Sequence, residues 1–191
     1  TILSPFIPLL FMGEEYAEPA PFQFFVDHSD PDLLNAVRKG RREEFASFGW
    51  DNDFPDPCAE STFDRSRVDF RLPESGGDHA LLRAFYKELL ALRRNSGLLP
   101  HRRHNTLEAI PHEAENCLEL HYASRTRQLL VLFNFDEQPR TVRLNTGGSF
   151  RQVLNSADRQ WGGKDHTSRH QKISGLAELP GCSLQVLAAG W

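Results

Sequence analysis

Residues 7–13 read Ile-Pro-Leu-Leu-Phe-Met-Gly, and Glu14 and Glu15 follow at once. A short, almost wholly apolar run bounded by Pro and Gly suits a strand buried on both faces, as in a parallel sheet. In a closed parallel barrel the active site gathers at the C-terminal ends of the strands. Glu14 and Glu15 sit where such an end is expected. They are sequence neighbours, and neighbouring side chains on a strand point to opposite faces. The two therefore do not form the facing carboxylates of a retaining glycosidase, which stand roughly 5–5.5 Å apart across one bond. Two roles stay open for each acid: a loop anchor, or a contact to substrate.

Working outward, Pro and Ala punctuate residues 17–21, and an aromatic cluster follows at Phe22, Phe24 and Phe25. Aromatic rings offer a rigid platform for sugar rings; the alternative is packing beneath a neighbouring helix. Asp27 and His28 suit either an acid/base pair or a capped turn. Asp30-Pro31 is a helix start, an N-cap followed by Pro at the first helical position. Leu33, Leu34, Val37, Arg41 and Phe45 continue it at helical spacing. The basic run Arg38 to Arg42 is followed by Glu43 and Glu44, which reads as a solvated helix face. Residues 49–77 are rich in Asp, Pro, Ser and Gly and read as a long loop with a turn of helix. The period returns over residues 79–95, where Leu82, Phe85, Leu89 and Leu92 predict a helix that Asp78 starts and Gly97 ends.

After about residue 105 the period changes. Residues 117–123 alternate, 129–135 form a buried-type run, and 140–144 alternate again, with further strands expected at 150–154 and 183–188. Short strands separated by Gly, Asn and Asp read as an antiparallel sandwich. The fold class expected is thus α/β plus all-β: the terminal part of a (β/α)8 barrel over residues 1–105, then a β-sandwich domain over residues 106–191.

Composition bounds the function. The chain has 191 residues, 39% hydrophobic and 25% charged, with a formal net charge of -4. That is an ordinary globular profile. It lacks the basic face of a nucleic-acid binder, and no stretch reaches the roughly 18 apolar residues of a membrane span. Cys58, Cys117 and Cys182 are odd in number and far apart, which points to a reducing cytoplasm rather than a disulfide framework or zinc site. His101 and His104 lie three apart without a carboxylate or Cys cluster, so no metal and no cofactor is expected. The apolar start, with no basic region before it, reads as the interior of a longer polypeptide rather than a signal peptide. An unpaired barrel strand there would favour association through residues 1–30.

The stretch Ser4 to Tyr16 resembles the eighth barrel strand of α-amylase-superfamily enzymes, and glucan branching enzymes share the Leu-Phe-Met-Gly segment. The continuation through Pro21–His28, Val37–Arg42 and Glu43-Glu-Phe45 is similar to maltooligosyltrehalose trehalohydrolases. Asp56-Pro57, Ser61-Thr62-Phe63 and residues 85–93 fit as well, and residues 130–135 and 179–187 resemble the superfamily's C-terminal sandwich. The resemblance implies a glycoside hydrolase that cleaves the α-1,4 bond next to a terminal trehalose unit, with retention, using an Asp nucleophile, a Glu acid/base and a second Asp. In the resembled family these follow the fourth, fifth and seventh strands, and the chain starts at the eighth. No catalytic residue is carried over, and the chain alone is expected to be inactive. The resemblance leaves Glu14, Glu15, Phe25 and Asp27 as a rim of the substrate cleft. The implied partners are an α-glucan oligosaccharide with a trehalose end and the upstream barrel portion. Two alternatives are a branching-enzyme C-terminal part and a non-catalytic carbohydrate-binding or structural sandwich module. Residues 21–28 and the Arg-rich helix argue against the first, the helical half against the second.

Overall fold

A computed structural model describes residues 1–46, 54–99, 105–164 and 171–191. His101 and His104 lie outside the described residues, as do residues 49–53 of the expected long loop. The helical half holds α1 (Pro31–Ala46), α2 (Glu60–Arg65) and α3 (Gly77–Asn95). The later half holds β1 (Thr106–His112), β2 (Cys117–Ala123), β3 (Gln128–Asn134), β4 (Arg140–Arg143), β5 (Phe150–Asn155), β6 (Lys172–Ile173), β7 (Leu176–Leu179) and β8 (Ser183–Ala189). A six-stranded sheet has the order β1-β2-β3-β8-β5-β6, and β4 and β7 form a second sheet. Every pairing among the described residues is antiparallel. The all-β half is thus the antiparallel sandwich that the short alternating runs imply.

The expected strand over residues 7–13 is not formed. That stretch carries no strand pairing, and the barrel sheet is absent from the described residues. A strand exists only through a partner's hydrogen bonds, and here neither neighbour is supplied. Pro5 and Pro8 also lack the N–H a ladder needs. Ile7 and Leu9 are 93% and 89% exposed as a result.

The central strand β3 shows why its sequence is apolar without alternation. Leu129 and Val131 face one core, shared with Leu89 of α3, Tyr122 and Val186; Leu130 and Leu132 face the other, shared with Val142, Phe150 and Leu179. Successive side chains leave a strand on opposite faces, so a strand covered on both sides must be apolar throughout. The molecule is layered accordingly: α3 and residues 2–10, then the large sheet, then β4 and β7. Strand β5 contributes to both cores because its register shifts between Gln152 and Leu154. The extra residue of that bulge reverses the facing, so Phe150 joins the inter-sheet core and Leu154 the helix-side core.

The helices match their sequence signals closely. Asp30 Oδ1 accepts from the backbone N–H of Asp32 at 2.9 Å and caps α1, ahead of Pro31. In α3 the chain turns at Gly97 (φ 69), as its position past the last helical residue requires. Asp78 lies inside the first turn and Gly76 is the capping position. Residues 59–75 hold α2 and a 3-10 turn at Leu72–Glu74 within the expected loop. Strand β1 carries Pro111 and bonds only to β2, the edge position at which a missing N–H costs no ladder bond.

Helix α3 also grips the N-terminal segment. The Arg93 guanidinium, 9% exposed, donates from Nη1 to the carbonyls of Ile2 (2.6 Å) and Ser4 (2.7 Å), and from Nη2 to that of Phe6 (2.8 Å). From the sheet side, Tyr122 donates its hydroxyl to the Leu3 carbonyl at 2.9 Å. The helix and the large sheet therefore hold one stretch of backbone between them.

Candidate functional site

The candidate site is the loop from Gly13 to His28 with the segments packed on it. Gly13 opens it at φ 89, and a Cβ there would lie 2.5 Å from the Cβ of Glu18. Only glycine fits that tight turn. Glu14 follows in a 3-10 turn; its Oε2 accepts from the N–H of Phe11 at 2.9 Å and its Oε1 from the hydroxyl of Tyr86 at 3.2 Å. Glu15 Oε2 accepts from the Gly13 N–H at 3.1 Å. Each acid thus closes its own backbone turn, and the two do not share a partner. Burial together with Glu14 pushes the Tyr86 phenol up from its ordinary value. Tyr16 is buried, and its carbonyl lies 2.7 Å from His79 Nδ1 on α3. Glu18 stitches the loop to the next layer, accepting from the N–H groups of Ala20 (2.9 Å) and Asp69 (2.8 Å).

Phe25 and Asp27 lie further along. Val26 donates to the Pro57 carbonyl at 2.8 Å, which aligns residues 25–27 beside residues 57–60. Phe25 meets Phe63 of α2 edge-to-face, with ring centroids 5.1 Å apart. Together with Asp27, Cys58 and Glu60 they line an open cavity of about 570 Å³. Glu14 lines a separate cavity of about 240 Å³, with Phe11, Met12, Phe22 and Val68. The structure therefore brings Phe25 and Asp27 together and sets Glu14 and Glu15 apart from them.

Two features went unread in the sequence. Glu60 and Phe63 belong to the same cavity as Phe25, though 35 or more residues away, and only a view of α2 packed on residues 25–27 reveals them. The basic run on α1 is more than a solvated face. No residue of α1 is buried, yet Arg41 lies between the rings of Phe24 (4.7 Å) and Phe45 (4.6 Å). Its guanidinium also donates to Glu44 Oε2 at 2.6 Å. Arg38 Nε donates to both oxygens of Asp56, at 3.0 and 3.1 Å. That contact, with the Cys58 N–H on the same carboxylate, holds the Asp56 carboxyl below the usual range. Aromatic faces attract guanidinium groups, so of the two roles open to Phe24, sugar platform or packing against the neighbouring helix, the contact with Arg41 of α1 matches the second. Among the described residues no cluster of three His, Cys, Asp or Glu is arranged to hold a metal ion. No helix among them is long and apolar enough to cross a membrane.

The antiparallel sandwich with its preceding helices is the C-terminal architecture of α-amylase-superfamily enzymes. A solved structure provisionally named an alpha amylase, from Salmonella typhimurium, superposes with a TM-score of 0.71 at 30% identity, over 98% of this chain and 29% of that one. The sequence relatives are more specific. The malto-oligosyltrehalose trehalohydrolase of Brevibacterium helvolum is 50% identical over 95 residues, which is 49% of this chain and 16% of that protein. The trehalohydrolase of Deinococcus radiodurans is 37% identical over 143 residues, 74% of this chain and 23% of that protein. No family model matches. The chain is similar to malto-oligosyltrehalose trehalohydrolases over as much as 74% of its own length, and these matches span under a quarter of those relatives' lengths.

Proposed function

We propose that this chain belongs to a retaining glycoside hydrolase that cleaves the α-1,4 bond next to the trehalose end of maltooligosyltrehalose and releases trehalose. The observation that carries the reading is the 50% identity to a named trehalohydrolase over 95 residues. Residues 1–105 are then the flank of the catalytic barrel and residues 106–191 its sandwich domain. The exposed Ile7, Leu9 and Phe11 are the surface on which the rest of the barrel packs. The three free thiols suit a reducing compartment, and the cytoplasm is the proposed location.

Retaining hydrolysis needs one carboxylate to attack the anomeric carbon and a second carboxyl to protonate the leaving oxygen. Glu14 and Glu15 each accept from a backbone N–H, at 2.9 and 3.1 Å, which ties them to the loop rather than to a scissile bond. On this reading the reacting acids come from the part of the relatives' length that this chain does not span. Phe25 and Asp27, with Glu60 and Phe63 beside them, contribute an aromatic wall and hydrogen-bond acceptors to the cleft rim. Glu14 and Glu15 hold the loop that carries that wall.

The test is trehalose release from maltooligosyltrehalose, with branching of amylose as the competing activity. The full-length protein is expected to release trehalose and not to branch, and the 191-residue chain to do neither. Branching by the full-length protein, or release by the isolated chain at a comparable rate, would overturn the reading.

A further inference from the structure

The sandwich holds a second cleft, remote from the Gly13–His28 loop. It opens between the two sheets where β6 and β7 meet their edges, and measures about 600 Å³. Its walls carry Gln152 of β5, Gln185 of β8, Thr141 of β4, Glu178 of β7 and Lys172 of β6. Gln152 and Gln185 are each only 2% exposed. A packed sandwich interior ordinarily puts apolar side chains at such positions, and Phe150 obeys that rule two residues before Gln152.

Gln185 Nε2 donates to the Glu178 carbonyl at 2.8 Å, which fixes the side chain against β7. Its Oε1 is buried and has no hydrogen-bond partner among the described residues. A buried amide oxygen left without a donor is destabilising, so its presence calls for a partner that the fold alone does not supply. Lys172 and Glu178 carry opposite charges, and the other polar side chains are neutral, the amides of Gln152, Gln171 and Gln185 and the hydroxyls of Thr141 and Ser174, with Ile173, Leu176 and Pro180 between them. Mixed neutral donors and acceptors over small apolar patches complement a ligand with many hydroxyls and no net charge.

We propose that this cleft binds an oligosaccharide, with Gln185 Oε1 accepting from a sugar hydroxyl and Gln152 and Thr141 contributing further hydrogen bonds. The site is separate from the cavity of Phe25 and Asp27, and it does not rest on the reaction proposed above.

Maltoheptaose is the probe, titrated into the 191-residue chain while the side-chain amide resonances of Gln152 and Gln185 are followed by NMR. Saturable shifts at both are expected. Gln185→Leu removes the acceptor, and Thr141→Arg narrows the mouth from an exposed position that the fold does not depend on. Both substitutions are expected to abolish the saturable shifts, read at Gln152 alone in Gln185→Leu, while Phe25→Ala in the other cavity leaves them unchanged. Absence of saturable shifts in the wild-type chain would overturn the proposal. So would Thr141→Arg titrating like wild type, or loss of the shifts in Phe25→Ala. Trehalose release is not read in this experiment, so failure here and failure of the proposed reaction are separate outcomes.

Discussion

The Arg93 guanidinium stands 2.6 Å from the Ile2 carbonyl, 91 residues earlier in the chain, and the ring of contacts around it contains carbonyls rather than a carboxylate. Hydrogen bonds from a charged donor each contribute about 1.5–3 kcal/mol, and they are not additive. Replacing Arg93 with Met leaves three carbonyls without their donor, that of Ile2 in a buried position and those of Ser4 and Phe6 in partly buried ones. Arg93→Met is expected to lower unfolding free energy by about 2–4 kcal/mol. Lys offers one compact charge instead of a planar fork, so Arg93→Lys should lie between the two. Urea unfolding of the three proteins checks this. A Met variant as stable as wild type would show that the segment is held by Tyr122 and packing alone.

Tyr122 completes that grip and titrates. It is fully buried, and burial pushes its phenol from 10.0 up to about 12. A raised folded-state value means the neutral form is favoured in the fold. The contribution is complete below pH 10 and is lost as pH rises from 10 through 12. A shift of that size corresponds to roughly 2–3 kcal/mol. Tyr16 and Tyr86 are raised as well, so Tyr122→Phe should shrink the alkaline loss of stability without removing it. The variant should also cost about 1 kcal/mol at neutral pH through the lost bond to Leu3. Unfolding free energy measured from pH 8 to 12 decides; identical slopes in both proteins would refute the assignment.

How much was legible in advance depended on whether a signal was local. Asp30-Pro31 caps α1 through the side chain of Asp30 itself, and the alternation of residues 117–123 is β2. Strand β3 was readable as buried on both faces because five successive apolar residues have no other use in a sandwich. Residues 7–13 carry the same kind of run, yet a parallel strand is a property of its neighbours and these are absent. Strand β7 escaped notice because Leu176–Leu179 is four residues long and contains Glu178. In the site, Glu14 and Glu15 were expected to diverge by strand alternation; they lie instead in a 3-10 turn, where each takes its own partners. Glu60 and Phe63 join Phe25 only through the packing of α2, a contact between segments that no local pattern encodes. The resemblance to the trehalohydrolases stood apart from these signals, since it rested on the similarity of whole segments within residues 4–45.

The turn from β7 to β8 offers a paired test. A Cβ on Gly181 would lie 1.9 Å from the Glu137 carbonyl oxygen, which is backbone and cannot swing aside. Gly181→Ala is therefore expected to cost about 1–3 kcal/mol. The next residue, Cys182, holds φ 46, in the left-handed region. That conformation costs a non-glycine residue about 1–2 kcal/mol, so Cys182→Gly should be neutral or stabilising. Thermal unfolding of the two variants should move in opposite directions, and a shared drop would mean that Cys182 gives more in packing than it loses in backbone strain.

The three thiols should react in an order set by exposure. Cys182 is exposed, Cys58 is half-buried, and Cys117 is buried. Burial also pushes the Cys117 thiol up from its ordinary value, with Glu115 adding to the effect. Thiolate is the reacting form, so both factors protect Cys117. Iodoacetamide labelling at pH 8, followed by peptide mass spectrometry, should modify Cys182 first and Cys117 only under unfolding conditions. Early labelling of Cys117 would reveal local opening of the β1–β2 edge.

The last expectation concerns the division of labour on the Gly13–His28 loop, measured in the full-length enzyme on maltooligosyltrehalose. Phe25 stacks edge-to-face on Phe63 and shares its cavity with Asp27. Contacts made equally to bound substrate and transition state change KM without changing kcat. Phe25→Ala and Asp27→Asn are therefore expected to raise KM by roughly threefold to tenfold, about 1 kcal/mol each, with kcat close to wild type. Glu14 acts differently, because its carboxylate holds the Phe11 N–H and the Tyr86 hydroxyl rather than the cavity of Phe25. Glu14→Ala and Tyr86→Phe break one shared contact, so the double variant should lose less than the sum of the two single losses. Additive losses would separate Glu14 from Tyr86 in function. A fall in kcat of several thousandfold in Glu14→Ala would make Glu14 a reacting acid and overturn the anchoring role its two hydrogen bonds assign to it.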